Sequence, residues 1–110
     1  MIPFNTNTPE YAIQVFWDWF AKNEAWIAAG VSVNTNQDGA TVIRTIDQKL
    51  RPVFKGYFGG LEFLLGANGD VKEFYFYHRN QPQLLQYGAK LGALMPATLK
   101  KQWHFYLDEY

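Results

Sequence analysis

His78 and His104 are the only imidazoles in this 110-residue chain, and His78 has the more chemically useful neighbours. His78-Arg79-Asn80 closes one strand-like run, and Asp108-Glu109 closes another. If those two strands lie parallel, the groups meet at one sheet edge, beside the start of the helix that follows residue 81. Open sheets bind ligands at the carboxyl ends of parallel strands, and helix N-termini attract anions. His78, Arg79, Asn80 and Asp108 are therefore a candidate binding site for a small anionic ligand, in a binding protein or a weak enzyme. The plainer reading makes the same residues strand-end and capping groups.

Other chemistries find less support. The chain has no cysteine, which removes thiol catalysis, disulfides and zinc–thiolate sites. Its only serine, Ser32, lacks the Gly-x-Ser-x-Gly setting of a nucleophile elbow. His104 and Asp108 share a strand face, but four residues at about 3.3 Å each separate them by roughly 13 Å. One ion cannot hold both, because ligand distances are near about 2 Å. Asp108 and Glu109 point to opposite sides of a strand, and Glu62 and Glu73 read as decoration of an exposed face. Gly56 and Gly59-Gly60 lack the Lys-Ser/Thr ending of a phosphate loop. No catalytic set, metal site or cofactor motif emerges.

Tyr75, Tyr77 and Tyr106 would line one face of a sheet, where aromatic rings can stack bases of single-stranded RNA. Such platforms also need cations, and Lys72, Arg79, Lys100 and Lys101 are a modest supply. Ten basic residues balance ten acidic ones, so neither nucleic acid nor an anionic membrane surface is the expected partner. The start of the chain lacks a signal-peptide pattern, and no apolar run reaches membrane-spanning length. The expectation is a cytoplasmic protein with no membrane segment.

The elements that must position these residues read as α-α-β-β-α-β. Residues 1–7 form a short arm. Thr8-Pro9-Glu10 supplies a hydroxyl N-cap, a first-turn proline and an acidic group, starting a helix that runs to about residue 28 and stops at Gly30. A polar stretch through Gly39 reads mostly as loop. A second helix, about 37 to 51, carries Ile43, Ile46, Leu50 and then Val53 or Phe54 at helical spacing, and Pro52 should end it. Residues 61–66 and 71–78 are strand-like runs joined around Asn68-Gly69, a strong hairpin signal. A third helix starts at Pro82 and ends before Pro96, with Leu84, Leu91 and Leu94 or Met95 inward. Gly88 and Gly92 would clear space against the sheet, at a cost of about 1 kcal/mol each relative to Ala. The last strand alternates Trp103, Phe105 and Leu107 with His104, Tyr106 and Asp108. The fold class is a single α+β domain, a three-stranded sheet with helices on one face. Strand three can pair in parallel with strand two or antiparallel with strand one.

Phe16-Trp17-Asp18-Trp19-Phe20 makes the first helix unusual. At about 100° per residue, Ile13, Phe16, Trp17, Phe20 and Ile27 form one apolar stripe, and Val15, Trp19 and Trp26 form a second on roughly the opposite side. A helix apolar on two sides is clamped between layers or offers a surface to a partner. Val15, Trp19 and Trp26 on the helix, with Tyr75, Tyr77 and Tyr106 on the open sheet face, are the candidate interface. The corresponding function is a non-enzymatic interaction or scaffold domain, most simply a homodimer.

The aromatic helix with Asn23-Glu24, the strand start Gly60-Leu61-Glu62-Phe63, Glu73-Phe74, and Met95-Pro96 before Trp103 resemble a family of small uncharacterised bacterial proteins. The chain departs from that pattern at its end, Leu107-Asp108-Glu109-Tyr110. The resemblance implies an α+β fold and transfers no catalytic residue.

Overall fold

A computed structural model describes residues 8–31 and 39–109. The expected arm at 1–7 and most of the expected loop before Gly39 lie outside them. Helix α1 spans Pro9–Lys22, α2 Glu24–Val31, and α3 Gly39–Leu50, which runs into a 3-10 turn at Arg51–Phe54. Strands β1 (Glu62–Asn68) and β2 (Val71–Tyr77) precede α4 (Pro82–Ala93), a single turn α5 (Ala97–Lys100) and β3 (Trp103–Asp108). The architecture is α+β, with helices on a three-stranded sheet. No helix of the described residues is long and apolar enough to cross a membrane.

The first helix is two helices. Asn23 leaves α geometry at φ −112°, and its backbone N–H and side-chain amide both donate to the carbonyl of Trp19, at 3.1 and 2.9 Å. An Asn side chain competes with the backbone for such groups, and here it closes α1. The Asn23 carbonyl then accepts from Ile27 and opens α2. Thr8 caps the start of α1 as expected, accepting the Tyr11 N–H through its hydroxyl at 3.2 Å.

Further along, Pro52 does not stop the chain's winding; it tightens α3 into the 3-10 turn. The inward stripe of α3 passes through Val42, Ile46 and Leu50, all buried, while Ile43 is 37% exposed. Leu94 is likewise exposed and Met95 takes the inward place. The hairpin loop is only Gly69-Asp70, because Asn68 pairs with Val71. Only Gly69 of the two has positive φ, at 66°, the pattern of a turn that requires glycine at its first central position.

The strand order is β1-β2-β3. β1 and β2 are antiparallel, and β2 and β3 are parallel with Phe74 opposite Phe105 and Tyr77 opposite Asp108. This register settles the alternative left open by the sequence. The inner face carries Phe63, Leu65, Phe74, Phe76, Trp103, Phe105 and Leu107, and all belong to or pack on the core. Trp17, Phe20, Phe74 and Trp103 form edge-on and tilted ring contacts, with Phe20 to Trp103 at 5.0 Å and Trp17 to Phe20 at 5.3 Å. Glu10 and Lys90 tie α1 to α4 at 2.8 Å, which holds the Glu10 carboxyl below and the Lys90 ammonium above their ordinary pKa values.

Gly88 and Gly92 explain how α4 comes so close. A Cβ on Gly92 would sit 2.5 Å from Cδ1 of Phe105, and one on Gly88 would sit 2.7 Å from Cδ1 of Leu107. The Phe105 ring is itself hemmed in by Phe74 at 5.4 Å and Trp17 at 6.3 Å, so it has little room to retreat. Gly92→Ala should therefore destabilise by about 1–2 kcal/mol, overpacking outweighing the roughly 1 kcal/mol gain in helix propensity. Urea unfolding followed by circular dichroism checks the sign.

Candidate functional site

Parallel pairing of β2 with β3 brings the strand-end residues together. Backbone pairing continues past both strands: His78 N–H donates to the Asp108 carbonyl at 2.9 Å and Arg79 N–H to the Glu109 carbonyl at 2.8 Å. Arg79 and Asn80 then turn the chain with φ of 50° and 58°, a left-handed pair that Asn tolerates better than Arg. The Asn80 side chain donates to Glu109 Oε1 at 2.7 Å, and its backbone N–H donates to Nδ1 of His78 at 3.0 Å. That bond leaves the His78 proton on Nε2. Asp108 accepts the Glu109 N–H on Oδ1 at 2.8 Å.

Arg79 is engaged internally. Its guanidinium donates to the Gly60 carbonyl and to the Tyr57 hydroxyl, and it lies 3.9 Å from the Glu62 carboxylate. The cation clasps the segment before β1 against the end of β2. Its charged neighbours are carboxylates: Glu62, with Asp108 and Glu109 beside the same turn. The cluster thus exists as the sequence implied, and its bonds are those of a structural clasp.

Concavities lie elsewhere. One of about 510 Å³ runs between the start of α1, the 3-10 turn and α4, lined by Thr8, Ala12, Val53 and Tyr87. Another of about 620 Å³ flanks β1, lined by Ile43, Arg44, Leu61 and Phe63. Neither includes His78, Arg79, Asn80 or Asp108. Among the described residues no three potential metal-ligating side chains come together.

The second candidate is the outer face of the sheet, where the registers build rows across the strands. Leu64, Tyr75 and Tyr106 form the central row. Gly66, Glu73 and His104 flank it on one side, and Glu62, Tyr77 and Asp108 on the other. Tyr75 and Tyr106 stack with centroids 4.8 Å apart and planes 18° apart. Leu64 is 54% exposed and Tyr106 38% exposed, large values for apolar and aromatic groups side by side. Shielding from water in this crowded row raises the Tyr75 phenol above its ordinary pKa, and the Glu73 carboxylate adds to the shift. The outward strand positions of this face include Glu62, Glu73 and Asp108 and no Lys or Arg, an arrangement that repels phosphate backbones.

The helical candidates are divided. Val15 is 49% exposed, whereas Trp19 and Trp26 are only partly buried and pack against the core. Lys49 lies 5.7 Å over the Trp19 ring. With the break at Asn23, Trp26 belongs to α2 and not to α1, so the second stripe is not continuous along one rod. Leu64 escaped the sequence reading, although the hairpin register and the alternation of β2 together would have placed it beside Tyr75. Tyr57 and Gly60, which receive Arg79, carry no local signal of that role.

No family model matches this chain, and neither a curated protein nor a solved structure matches it. The functional reading rests on its own residues.

Proposed function

We propose that this chain is a non-enzymatic interaction domain, a cytoplasmic protein that associates with a second copy of itself through the outer face of its sheet. The observation that carries the reading is the uncovered central row, Leu64 beside the stacked Tyr75–Tyr106 pair. Tyr is enriched at interface hot spots because it combines apolar area with a hydroxyl. Three strands at about 4.8 Å and seven residues at about 3.3 Å offer roughly 300 Å² of sheet. That is well below the approximately 800 Å² per partner of a standard stable interface, so association is weak and reversible. The patches that resemble small bacterial proteins fit the same proposal: Phe16, Trp17, Phe20 and Trp103 build core and supply no catalytic centre.

The strand-end cluster is the alternative, a small-anion site around His78 and Arg79 with Asn80 and Asp108. The engagement of Arg79 by Gly60, Tyr57 and Glu62 weighs against it. Dilution of an isotope-labelled sample from about 1 mM to about 10 µM separates the two. Concentration-dependent amide shifts at Leu64, Tyr75, Tyr106 and their neighbours support the face. Shifts confined to residues 78–80 on adding phosphate or citrate, with none on dilution, favour the cluster.

A further inference from the structure

The charges around the central row select how two copies would meet, an inference that rests on the self-association proposed above. Aligned sheets can be related by a two-fold axis lying between them in two ways. With the axis along the strands, β1 lies over the partner's β3, so Glu62 faces the partner's Asp108 and Glu73 faces the partner's Glu73. Both flanking rows then set carboxylate against carboxylate, beside the uncharged Tyr77–Tyr77 and the Gly66–His104 pairings. With the axis across the strands, the rows exchange instead. Glu62 then faces the partner's Gly66, Tyr77 faces the partner's Glu73, and Asp108 faces the partner's His104. Leu64, Tyr75 and Tyr106 meet their own counterparts at the centre.

We infer that the chain pairs by the second arrangement, with an Asp108–His104 contact formed twice across the interface. The registers Glu73 opposite His104 and Tyr77 opposite Asp108 place the two groups in different rows of the same strand, and both side chains are exposed. Along one strand they are about 13 Å apart, too far to serve each other within a single chain. Nδ1 of His104 lies 3.3 Å from the Tyr106 hydroxyl. With that hydroxyl donating, the imidazole proton resides on Nε2, a donor toward a facing carboxylate even when the ring is neutral. Asp108 has Oδ1 engaged by the Glu109 N–H, which leaves Oδ2 to accept.

Charge reversal tests the arrangement, read by sedimentation equilibrium at pH 7.5 with circular dichroism confirming the fold. His104→Glu sets a carboxylate against the partner's Asp108 and should weaken dimerisation at least about tenfold. Adding Asp108→Lys to the same chain should restore affinity to within about threefold of wild type, because the introduced carboxylate then faces an introduced lysine across the interface. Dimerisation unchanged by His104→Glu, not restored in the double variant, or strengthened by Asp108→Lys alone, which the first arrangement would set against the partner's Glu62, overturns this arrangement while leaving association through the face standing. A wild-type chain that stays monomeric near about 1 mM overturns both.

Discussion

Trp17→Phe is expected to lower the unfolding free energy by about 2–4 kcal/mol, a large part of the roughly 5–15 kcal/mol that holds a domain together. Trp17 is 1% exposed and lies where α1 meets the sheet and α4, in ring contact with Phe16, Phe20, Phe74 and Phe105. Its indole N–H donates to the Leu91 carbonyl at 2.9 Å, a buried bond between residues 74 positions apart. Leu91 lies in the last turn of α4, where carbonyls lack intrahelical partners. Around it, Leu94 N–H goes to Lys90 and Met95 N–H to Gly92, so the indole serves a carbonyl that these bonds bypass. Phenylalanine leaves that carbonyl unpaired in the core, at about 1–3 kcal/mol, and leaves a gap in the ring cluster. Urea denaturation should show a lower midpoint at an unchanged slope. A loss below about 1 kcal/mol would mean that water or a shifted helix end replaces the bond.

Leu64→Lys should weaken self-association at least about tenfold, or ~1.4 kcal/mol, while folding stability changes by no more than about 0.5 kcal/mol. The position is 54% exposed on an edge strand, so no core contact is lost. A charged side chain at the centre of a small apolar contact must be desolvated to be buried there. Across the proposed interface Leu64 faces its own counterpart, so the substitution removes apolar area and opposes two cations near the axis. A matched melting curve with unchanged association would exclude the central row as the contact surface.

Much of this was legible in the sequence because it is written locally. Period-two alternation assigned Trp103, Phe105 and Leu107 inward and His104, Tyr106 and Asp108 outward, and Gly88 and Gly92 marked a close approach to the sheet. Thr8 starts α1 through its hydroxyl cap, whereas α4 starts at Pro82 with no side-chain cap from Gln81, the fixed φ of proline marking its first turn. The break at Asn23 was not legible, because an Asn inside an apolar helix pattern leaves the periodicity intact and acts only through its side-chain bond to Trp19. Val42 and Ile43 are adjacent apolar residues, and both suit a stripe ending at Leu50. Only packing of α3 against α2 shows which one turns inward.

The strand-end cluster shows the same division. Its assembly followed from parallel pairing, an option the sequence held open. Its engagement did not, since Tyr57 and Gly60 reach Arg79 across about twenty residues of chain, with no pattern linking them. The rings of the aromatic helix are mostly core, with Phe16, Trp17 and Phe20 buried. The exposed Leu64 and Tyr106 lie instead on the outer face of the sheet, the surface proposed for self-association.

Sedimentation equilibrium of the wild-type chain from about 10 µM to about 1 mM, run beside Leu64→Lys, is the most direct measurement. Association through the outer sheet face requires the wild-type mass to climb from one subunit toward two while the variant stays near one. A wild-type mass that remains that of a single subunit throughout, or a variant that climbs equally, would contradict it.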